Sequence, residues 1–515
     1  MLDRRFGTAS WALTLSAAIL LTGPTVLAFF SGGYGVKSQQ LGAAVAFFVL
    51  GVLVATAPWP PIRGRAALVA VTALAALALW TGVSIAWAPV RDLAADETAQ
   101  LTLYSAVFAA ALVVMRDPTV RRWTAPALLA GVLVVAIYAL AGRLLPDLVA
   151  VAFTARAGSR IQQPITYWNA LGLLMALGIL LGAAVAAGDD RDRRLRAAAC
   201  AAAVPCALVL YLTFSRGSLV ALAAGYLALL LARPRPGALL AGALALASGA
   251  VLALVLQLFP AVLELNRGSS EQTAQGAVMA VVLVAATLAV GVLFARLSRS
   301  RALPQRLELP GRVRSAIAVL SVAAVVGLGW LIASGSETTE PLPSSQGRLA
   351  TIATSRGDYW GVALDALAAE PITGAGSGSF SVEWRRERNS REFALDAHSL
   401  YVEILGELGL VGGLLLAAFL VPVLLAVVRL AAHVRDPVGP AAAAGLAAFL
   451  VHVGLDWTWE FPAVTLVPLL LAAAALAPAV LVTGGPTNGR ALRAGPVRAE
   501  PGTSGAVSAP DAVER

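Results

Sequence analysis

The sequence predicts an all-α membrane protein: a polytopic bundle of 12–14 transmembrane helices with one large extracytoplasmic loop before the last three spans. Of the 515 residues, 59% are hydrophobic and only 13% are charged. A soluble globular protein of this length could not bury so much apolar surface. The apolar runs approach the roughly 20 residues that a helix needs to cross a bilayer. They are rich in Ala, Leu and Val and do not alternate with polar residues, which excludes a barrel pattern.

Fourteen runs qualify as candidate spans. They lie near residues 11–30, 41–57, 66–87, 101–115, 124–142, 169–187, 197–213, 217–232, 238–258, 277–295, 314–333, 408–431, 440–456 and 463–482. The runs at 101–115 and 217–232 are short for a complete crossing.

Basic residues predict the orientation of these spans. With the N-terminus inside, strict alternation assigns 25 of the 38 basic residues to inside segments, and every short inside loop is basic. Most of the other 13 fall in two long outer loops, which the positive-inside rule discounts. The sequence therefore predicts a protein of the cytoplasmic (inner) membrane with both termini in the cytoplasm. The net charge of +9 is scattered among loops, which argues against nucleic-acid binding.

Four regions follow from this topology. Residues 1–333 form the first eleven spans, 334–407 the large extracytoplasmic loop, 408–485 the last three spans, and 486–515 a disordered cytoplasmic tail. Within the loop, "GDYWGVALDALAAEPITGAGSGSF" predicts an amphipathic helix followed by a glycine turn. Gly409, Gly412 and Gly413, farther along, predict close packing or a bend at the membrane surface.

Arg216 is the first candidate for binding an anion. It lies in "TFSRGSLVALAAGYL" at the outer start of a span, directly after Ser215, a favourable helix cap. A helix N-terminus offers unpaired N–H groups and a positive dipole, so a diphosphate at the membrane surface would suit it. An arginine that only reaches toward the interface is an equally good interpretation. For Arg356, in the large loop, the residues alone favour a solvated charge.

Arginines cluster again before the last three spans. This cluster either binds an anionic headgroup or forms a solvated face, and acidic neighbours favour binding slightly. Its members are Arg385, Arg386, Arg388 and Arg391.

His398 lies between that cluster and a hydrophobic run. Neutral imidazole, with an ordinary pKa near 6.5, can take a proton from a sugar hydroxyl. For a lone histidine, however, the residues favour an interfacial side chain bound to a backbone carbonyl. Of the other two histidines, His433 belongs to a basic cytoplasmic loop, and His452 is predicted to form a buried polar pair with Asp456. No cluster has metal-ligand spacing, so neither a metal nor a cofactor is expected.

Three of these segments resemble the O-antigen ligase and polymerase superfamily of integral membrane glycosyltransferases. They are "TFSRGSLVALAAGYL", "SRGDYWGVALDALAAEPITGAGSGSF" and "HSLYVEILGELGLVG". "YWNALGLLMALGILL" and "DWTWEFPAVTL" are also similar, so the resemblance covers roughly residues 165–470. The family usually has fewer than fourteen spans, which predicts an extra hairpin between residues 233 and 313.

The resemblance implies a glycosyl transfer that needs no metal or nucleotide. The donor would be a glycan on a polyprenyl diphosphate, and the acceptor a hydroxyl of a glycan or lipid. Arg216 and Arg356 would hold the diphosphate, His398 would be the general base, and Arg388 and Arg391 would be secondary. The sequence does not separate ligase from polymerase.

A non-enzymatic transporter or flippase of lipid-linked glycans is the alternative. Transporters tend to have internal repeats and polar groups at mid-membrane. This sequence has no convincing repeat, and its polar groups gather on the outer side, which favours surface chemistry.

Overall fold

The structure is a computed structural model that describes most of the chain. The described residues are 3–298, apart from 153, 189–190, 233–235 and 266–268, then 310 and 312, and finally 356–477, apart from 389–392, 432–435 and 437. The predicted span at 314–333, the predicted tail at 486–515, Arg391 and His433 lie outside them.

The described residues form helices and no strand. The helices are α1 (Asp3–Ala28), α2 (Val36–Thr56), α3 (Arg65–Ser84), α4 (Arg91–Val114), α5 (Pro118–Leu144), α6 (Trp168–Ala186), α7 (Arg193–Leu212), α8 (Arg216–Leu231), α9 (Pro236–Leu256), α10 (Pro260–Glu264), α11 (Ser269–Leu297), α12 (Arg356–Ala369), α13 (Phe380–Glu387), α14 (Leu400–Ala431), α15 (Gly439–Val453) and α16 (Pro462–Leu476). Short 3₁₀ helices cover Ser31–Gly33, Ala155–Ala157 and Thr458–Glu460.

The helices confirm the predicted all-α polytopic bundle. Ten of them are long and apolar enough to cross a membrane, and α8, α15 and α16 are shorter apolar helices. Each predicted span within the described residues coincides with one of these thirteen. The short run at 101–115 is the end of the 24-residue α4, whereas α8 has 16 residues. Helix α14 begins at Leu400, eight residues before the predicted start of its span.

Helix α6 lies at the centre of the bundle, where every residue from 170 to 186 is buried. It packs against α5, α7, α8 and α15. Small residues permit this close approach. A Cβ atom on Gly182, for example, would lie 2.7 Å from the Ala199 carbonyl oxygen of α7. Close backbone packing of this kind is typical of membrane helices, which gain little from burying apolar surface away from apolar lipid.

The outer helices present large apolar side chains to their surroundings. Phe48 of α2, Leu254 of α9 and Val281 of α11 are all about 70% exposed, at 72%, 71% and 69%. Such exposure would be costly in water but is ordinary against lipid tails. The described bundle therefore has the surface of a protein that lies in a bilayer.

The predicted glycine turn connects the loop helices to the bundle through backbone hydrogen bonds. The N–H groups of Ala375 and Gly376 donate to the carbonyls of Gly406 and Glu407, at 3.0 and 2.8 Å. Helix α14 bends at Gly409, whose φ of 64° favours glycine. A Cβ on Gly374 would lie 2.4 Å from the Glu407 carbonyl oxygen, so the turn also requires glycine there.

Buried carboxyl groups reinforce this attachment. The Glu407 carboxylate accepts the N–H groups of Gly378 and Phe380 at 2.9 and 3.0 Å. The Ser377 hydroxyl donates to Glu97 of α4. Because the turn is held on both sides, helix α12 before it has a fixed position on the bundle.

Candidate functional site

His398 lies in the loop just before α14 and has an unusual backbone. Its φ is 57°, a left-handed conformation that residues with a Cβ rarely adopt. Such strained residues cluster at functional sites, where the surrounding structure holds them in place. Here the first turn of α14 provides that support, because its Glu403 carboxylate accepts the N–H of Ala397, the residue before His398, at 2.6 Å.

The imidazole of His398 has a defined proton arrangement. Its Nδ1 lies 2.9 Å from the carbonyl oxygen of Asp396. A carbonyl oxygen can only accept, so Nδ1 carries the hydrogen and donates it. In the neutral ring Nε2 then has a lone pair that can take up a proton. The contact between His398 and a backbone carbonyl was expected from the sequence. This contact uses only Nδ1, so His398 can still act as a general base through Nε2.

The ring of His398 lies between two segments that form an ion pair. Its centroid is 5.1 Å from that of Tyr359, in α12, and 6.1 Å from that of Trp457. The Arg356 guanidinium, three residues before Tyr359, is 2.6 Å from the carboxylate of Asp456, which precedes Trp457. The side chains of the pair are 17% and 2% exposed. Arg356 is thus part of a mostly buried site rather than a solvated loop charge.

Asp456 is the most heavily hydrogen-bonded group of the site. Besides Arg356, it accepts the Tyr167 hydroxyl and the Asn169 side-chain amide, both at 2.8 Å, and the N–H of Trp457 at 3.0 Å. Burial, the largest single effect, would raise the pKa of this carboxyl, but the Arg356 charge, the two nearby histidines and the Tyr167 hydrogen bond together outweigh burial and lower the pKa. Asp456 therefore remains an anion that orients Arg356.

The environment favours the neutral form of His398. Burial lowers the pKa of the imidazole below its ordinary 6.5; the Asp456 charge opposes this effect, whereas the charges of Arg356 and Arg156 add to it. A neutral ring at pH 7 is the state that a general base needs. Arg156 is exposed, in the 3₁₀ helix Ala155–Ala157, and was not singled out from the sequence.

Arg216 is the first residue of α8, at the same end of the bundle. Ser215 caps this helix as predicted, because its hydroxyl accepts the N–H of Ser218 at 3.3 Å. The Ser218 hydroxyl in turn donates to the backbone carbonyl of Asn169 at 3.2 Å. Since the Asn169 amide binds Asp456, the helix start that carries Arg216 and the ion pair that includes Arg356 share one polar network. Arg216 itself has intermediate exposure.

The remaining predicted arginines are less closely connected. Arg388 follows the last turn of α13, has intermediate exposure, and donates its backbone N–H to the backbone carbonyl of Trp384 at 2.9 Å. Trp384 packs on Tyr359, which in turn contacts His398. Two aromatic side chains, Trp384 and Tyr359, therefore separate Arg388 from the His398 ring, and the role of Arg388 remains a prediction. Arg391 lies outside the described residues.

The predicted pairing of His452 with Asp456 is wrong in its partner. His452 is completely buried, but its ring nitrogens contact the hydroxyls of Ser218 and Thr458 at 3.2 and 3.0 Å. Asp456 binds Arg356, which is 100 residues away in sequence. Both segments of this network had been identified as similar to the family, in "YWNALGLLMALGILL" and "DWTWEFPAVTL", but the sequence did not indicate that the two segments meet.

A group of three carboxyls also went unnoticed in the sequence. Carboxylate oxygens of Asp396, Glu403 and Glu460 lie within 4.8 Å of one another. Burial, and then the Glu97 and Asp456 charges, raise the pKa of Asp396 to about 8. Burial and the Asp396 charge also raise the pKa of Glu460 well above its ordinary value. Carboxyls that hold protons at neutral pH are poor cation ligands, and metal independence remains a prediction.

The bundle and the site together define a multi-pass membrane protein in which a histidine and basic residues converge at one end. Residues 272–417 match the family model described as O-antigen ligase, which confirms the resemblance to the O-antigen ligase and polymerase superfamily. This matched segment includes Arg356 and His398, whereas Arg216 and Asp456 lie outside it. No curated protein sequence matches the chain. The family and the helices fit a bacterial membrane protein with a glycan-processing function of this type.

Proposed function

We propose that this protein transfers a glycan from a polyprenyl-diphosphate carrier to an acceptor hydroxyl, as a polysaccharide ligase or polymerase. One observation carries the proposal: His398 has its Nδ1 hydrogen bonded to a carbonyl and its ring beside the segments of the Arg356–Asp456 pair. This arrangement combines a proton acceptor with a cation in a partly buried site, which is what displacement of a diphosphate requires.

The reaction is a displacement at the anomeric carbon of the donor glycan. The acceptor oxygen forms a bond to that carbon, and its proton moves to Nε2 of His398. The bond between the anomeric carbon and the diphosphate oxygen breaks, and the diphosphate leaves with the electron pair. Arg356 and Arg216 stabilise the negative charge that grows on the leaving group, a role for which the forked guanidinium is well suited. Arg388 and Arg391 are secondary candidates for contacts to the substrates.

The substrates determine where the site must lie. The carrier lipid is in the outer leaflet of the cytoplasmic membrane, and the site end of the bundle faces the extracytoplasmic side. The charge pattern of the loops supports this orientation, with both termini in the cytoplasm. The polar groups of the site gather at one end of the helices rather than at mid-membrane, which favours a surface reaction over a flippase or transporter.

Glycan transfer by the purified protein in nanodiscs tests the proposal. The donor is a polyprenyl-diphosphate oligosaccharide, a chelator is present throughout, and His398→Ala runs in parallel. A ladder of products identifies a polymerase, and a single shift of an added acceptor identifies a ligase. Undiminished transfer by His398→Ala would remove the general base from the proposal. Transport of the donor across the bilayer without transfer would favour the flippase.

A further inference from the structure

His452 connects two segments of the site that are far apart in sequence. It lies in the last turn of α15 with 0% of its surface exposed. On one side, its Nε2 is 3.2 Å from the hydroxyl of Ser218, in the first turn of α8. On the other side, its Nδ1 is 3.0 Å from the hydroxyl of Thr458, two residues after Asp456.

One proton arrangement satisfies every contact of this histidine. The Ser218 hydroxyl donates to the Asn169 carbonyl, so its oxygen can accept the Nε2 hydrogen of His452. The Thr458 hydroxyl then donates to the unprotonated Nδ1. Both ring nitrogens are thus used within the protein, and a neutral His452 has no lone pair left for a substrate.

These bonds complete a closed ring of contacts. Ser218 reaches Asp456 by one route through Asn169, whose amide donates to the carboxylate at 2.8 Å. It reaches the same segment by the second route through His452 and Thr458. Two independent connections between the start of α8 and the Asp456 segment fix both the distance and the angle between them, which one connection would not do.

We infer that His452 is a positioning residue that holds Arg216 and Arg356 in register to bind one diphosphate; this inference rests on the proposed function. Arg216 begins α8, and Arg356 is oriented by Asp456, so these contacts set the separation between the start of α8 and the Arg356 guanidinium. An apolar side chain could fill the same volume. It would leave the Ser218 and Thr458 hydroxyls without their partner and allow the segments to shift.

Diphosphate binding tests this role separately from catalysis. The probe is farnesyl diphosphate, with its Kd measured on the full-length protein in nanodiscs for the wild type and for His452→Phe, which keeps a ring but no hydrogen bond. We expect the Kd to rise about 10-fold or more, since two buried hydroxyls lose their partner and a loss of this kind is worth roughly a factor of ten or more in an equilibrium constant. In transfer assays the KM for the donor rises as well, whereas the KM for the acceptor does not change.

Two further sets of variants make the test decisive. Ser218→Ala and Thr458→Val each remove one hydroxyl, and we expect each to raise the Kd several-fold. The double variant Thr458→Val/His452→Phe should bind no more weakly than His452→Phe alone, because the Thr458 hydroxyl contacts the network through His452 and that contact is already lost. These smaller changes test the inference even if His452→Phe does not fold.

Phe449→Leu is the matched control, one turn earlier on α15, buried, and outside the polar network. It should lower the Tm but leave the Kd unchanged. Three results would each overturn the inference. The Kd of folded His452→Phe could equal that of the wild type, the double variant could show additive increases in Kd, or Phe449→Leu could raise the Kd as much as His452→Phe does. Binding by a wild type that transfers no glycan would refute only the proposed function. Absence of diphosphate binding in the wild type would refute both.

Discussion

Two buried arginine–aspartate pairs lie at opposite ends of α16, and they differ in their surroundings. Arg356 and Asp456 form the pair at the His398 end, 2.6 Å apart. Arg121 and Asp436 form the pair at the other end, 2.8 Å apart, with side chains 4% and 11% exposed. The residue types and distances are almost the same, so neither distinguishes a functional pair from a structural one.

The difference lies in the other partners. The Arg121 guanidinium also donates to the Ala474 and Ala477 carbonyls at the end of α16. Asp436 accepts the N–H groups of Val438 and Gly439, where α15 begins. This pair therefore closes helix ends, as a capping group does. Asp456 of the other pair binds two side chains, those of Tyr167 and Asn169, besides the N–H of Trp457, and it lies next to a histidine with a strained backbone. Neighbours of this kind, rather than the pair itself, indicate chemistry.

The largest effect should come from His398, which lies beside the segments that form the Arg356–Asp456 pair. His398→Ala should lower kcat/KM for glycan transfer about 10²- to 10⁴-fold, the usual contribution of a general base. His433→Ala, in a loop predicted to be cytoplasmic, is the control and should retain wild-type activity. The comparison fails if both variants lose transfer equally, or if neither does.

Matched arginine-to-lysine changes separate the two pairs directly. Arg356→Lys keeps the charge but loses the fork, so kcat/KM should fall about 10²-fold with little change in Tm. Arg121→Lys should lower the Tm by roughly 5 °C or more, because a lysine cannot replace the Arg121 hydrogen bonds to Asp436 and to the Ala474 and Ala477 carbonyls together, while transfer per folded molecule is retained. Activity assays and thermal denaturation of both variants supply the measurement. If Arg121→Lys lost transfer and Arg356→Lys lost only thermal stability, the Arg121–Asp436 pair would be the functional one and the Arg356–Asp456 pair the structural one.

The pH profile should reflect the lowered pKa of His398. A base with a pKa below 6.5 remains neutral, and active, to a lower pH than an ordinary histidine. The acidic limb of kcat/KM should therefore fall below pH 6.5. A limb clearly above pH 6.5 would mean that Asp456 determines the ionisation of the ring more strongly than burial does.

Asp396→Asn should have a smaller effect, on stability. In the folded protein the pKa of this carboxyl is raised from 3.8 to about 8, so the native state retains a proton that the unfolded chain loses above pH 4. The free energy of unfolding of the wild type therefore falls as the pH rises from 4 to 8. The asparagine of the variant does not titrate, so the variant lacks this loss. The variant should melt a few degrees higher than the wild type at pH 8, but not at pH 4. An equal difference at both pH values would contradict this explanation.

Chelation should have the smallest effect of all. With protonated carboxyls beside His398, EDTA treatment is expected to leave the transfer rate unchanged. Loss of activity that added Mg²⁺ or Ca²⁺ restores would instead identify the Asp396, Glu403 and Glu460 group as a metal centre.

The sequence predicted those parts of the molecule that depend on local pattern. Apolar runs predicted the spans, Ser215 predicted the start of α8, and glycines predicted the turn and the bend at Gly409. The Asp456 network could not be predicted in the same way, because its members come from Tyr167, Asn169, Arg356 and Asp456 itself, up to 289 residues apart. Hydrogen bonds over such separations leave no periodicity in a single sequence. Only the bundle brings these segments together.

The glycine turn has a consequence for how this protein can diversify. At the glycine turn the loop contributes mainly main-chain N–H groups, which every residue except proline possesses, together with the Ser377 hydroxyl that binds Glu97. Apart from the glycines and Ser377, the turn therefore constrains the side chains of the loop only weakly. New side chains on the loop helices could change the glycans that the protein accepts, while the positions of Arg356 and His398 are retained. Loops from relatives could accordingly be exchanged at this turn to alter specificity without rebuilding the membrane bundle.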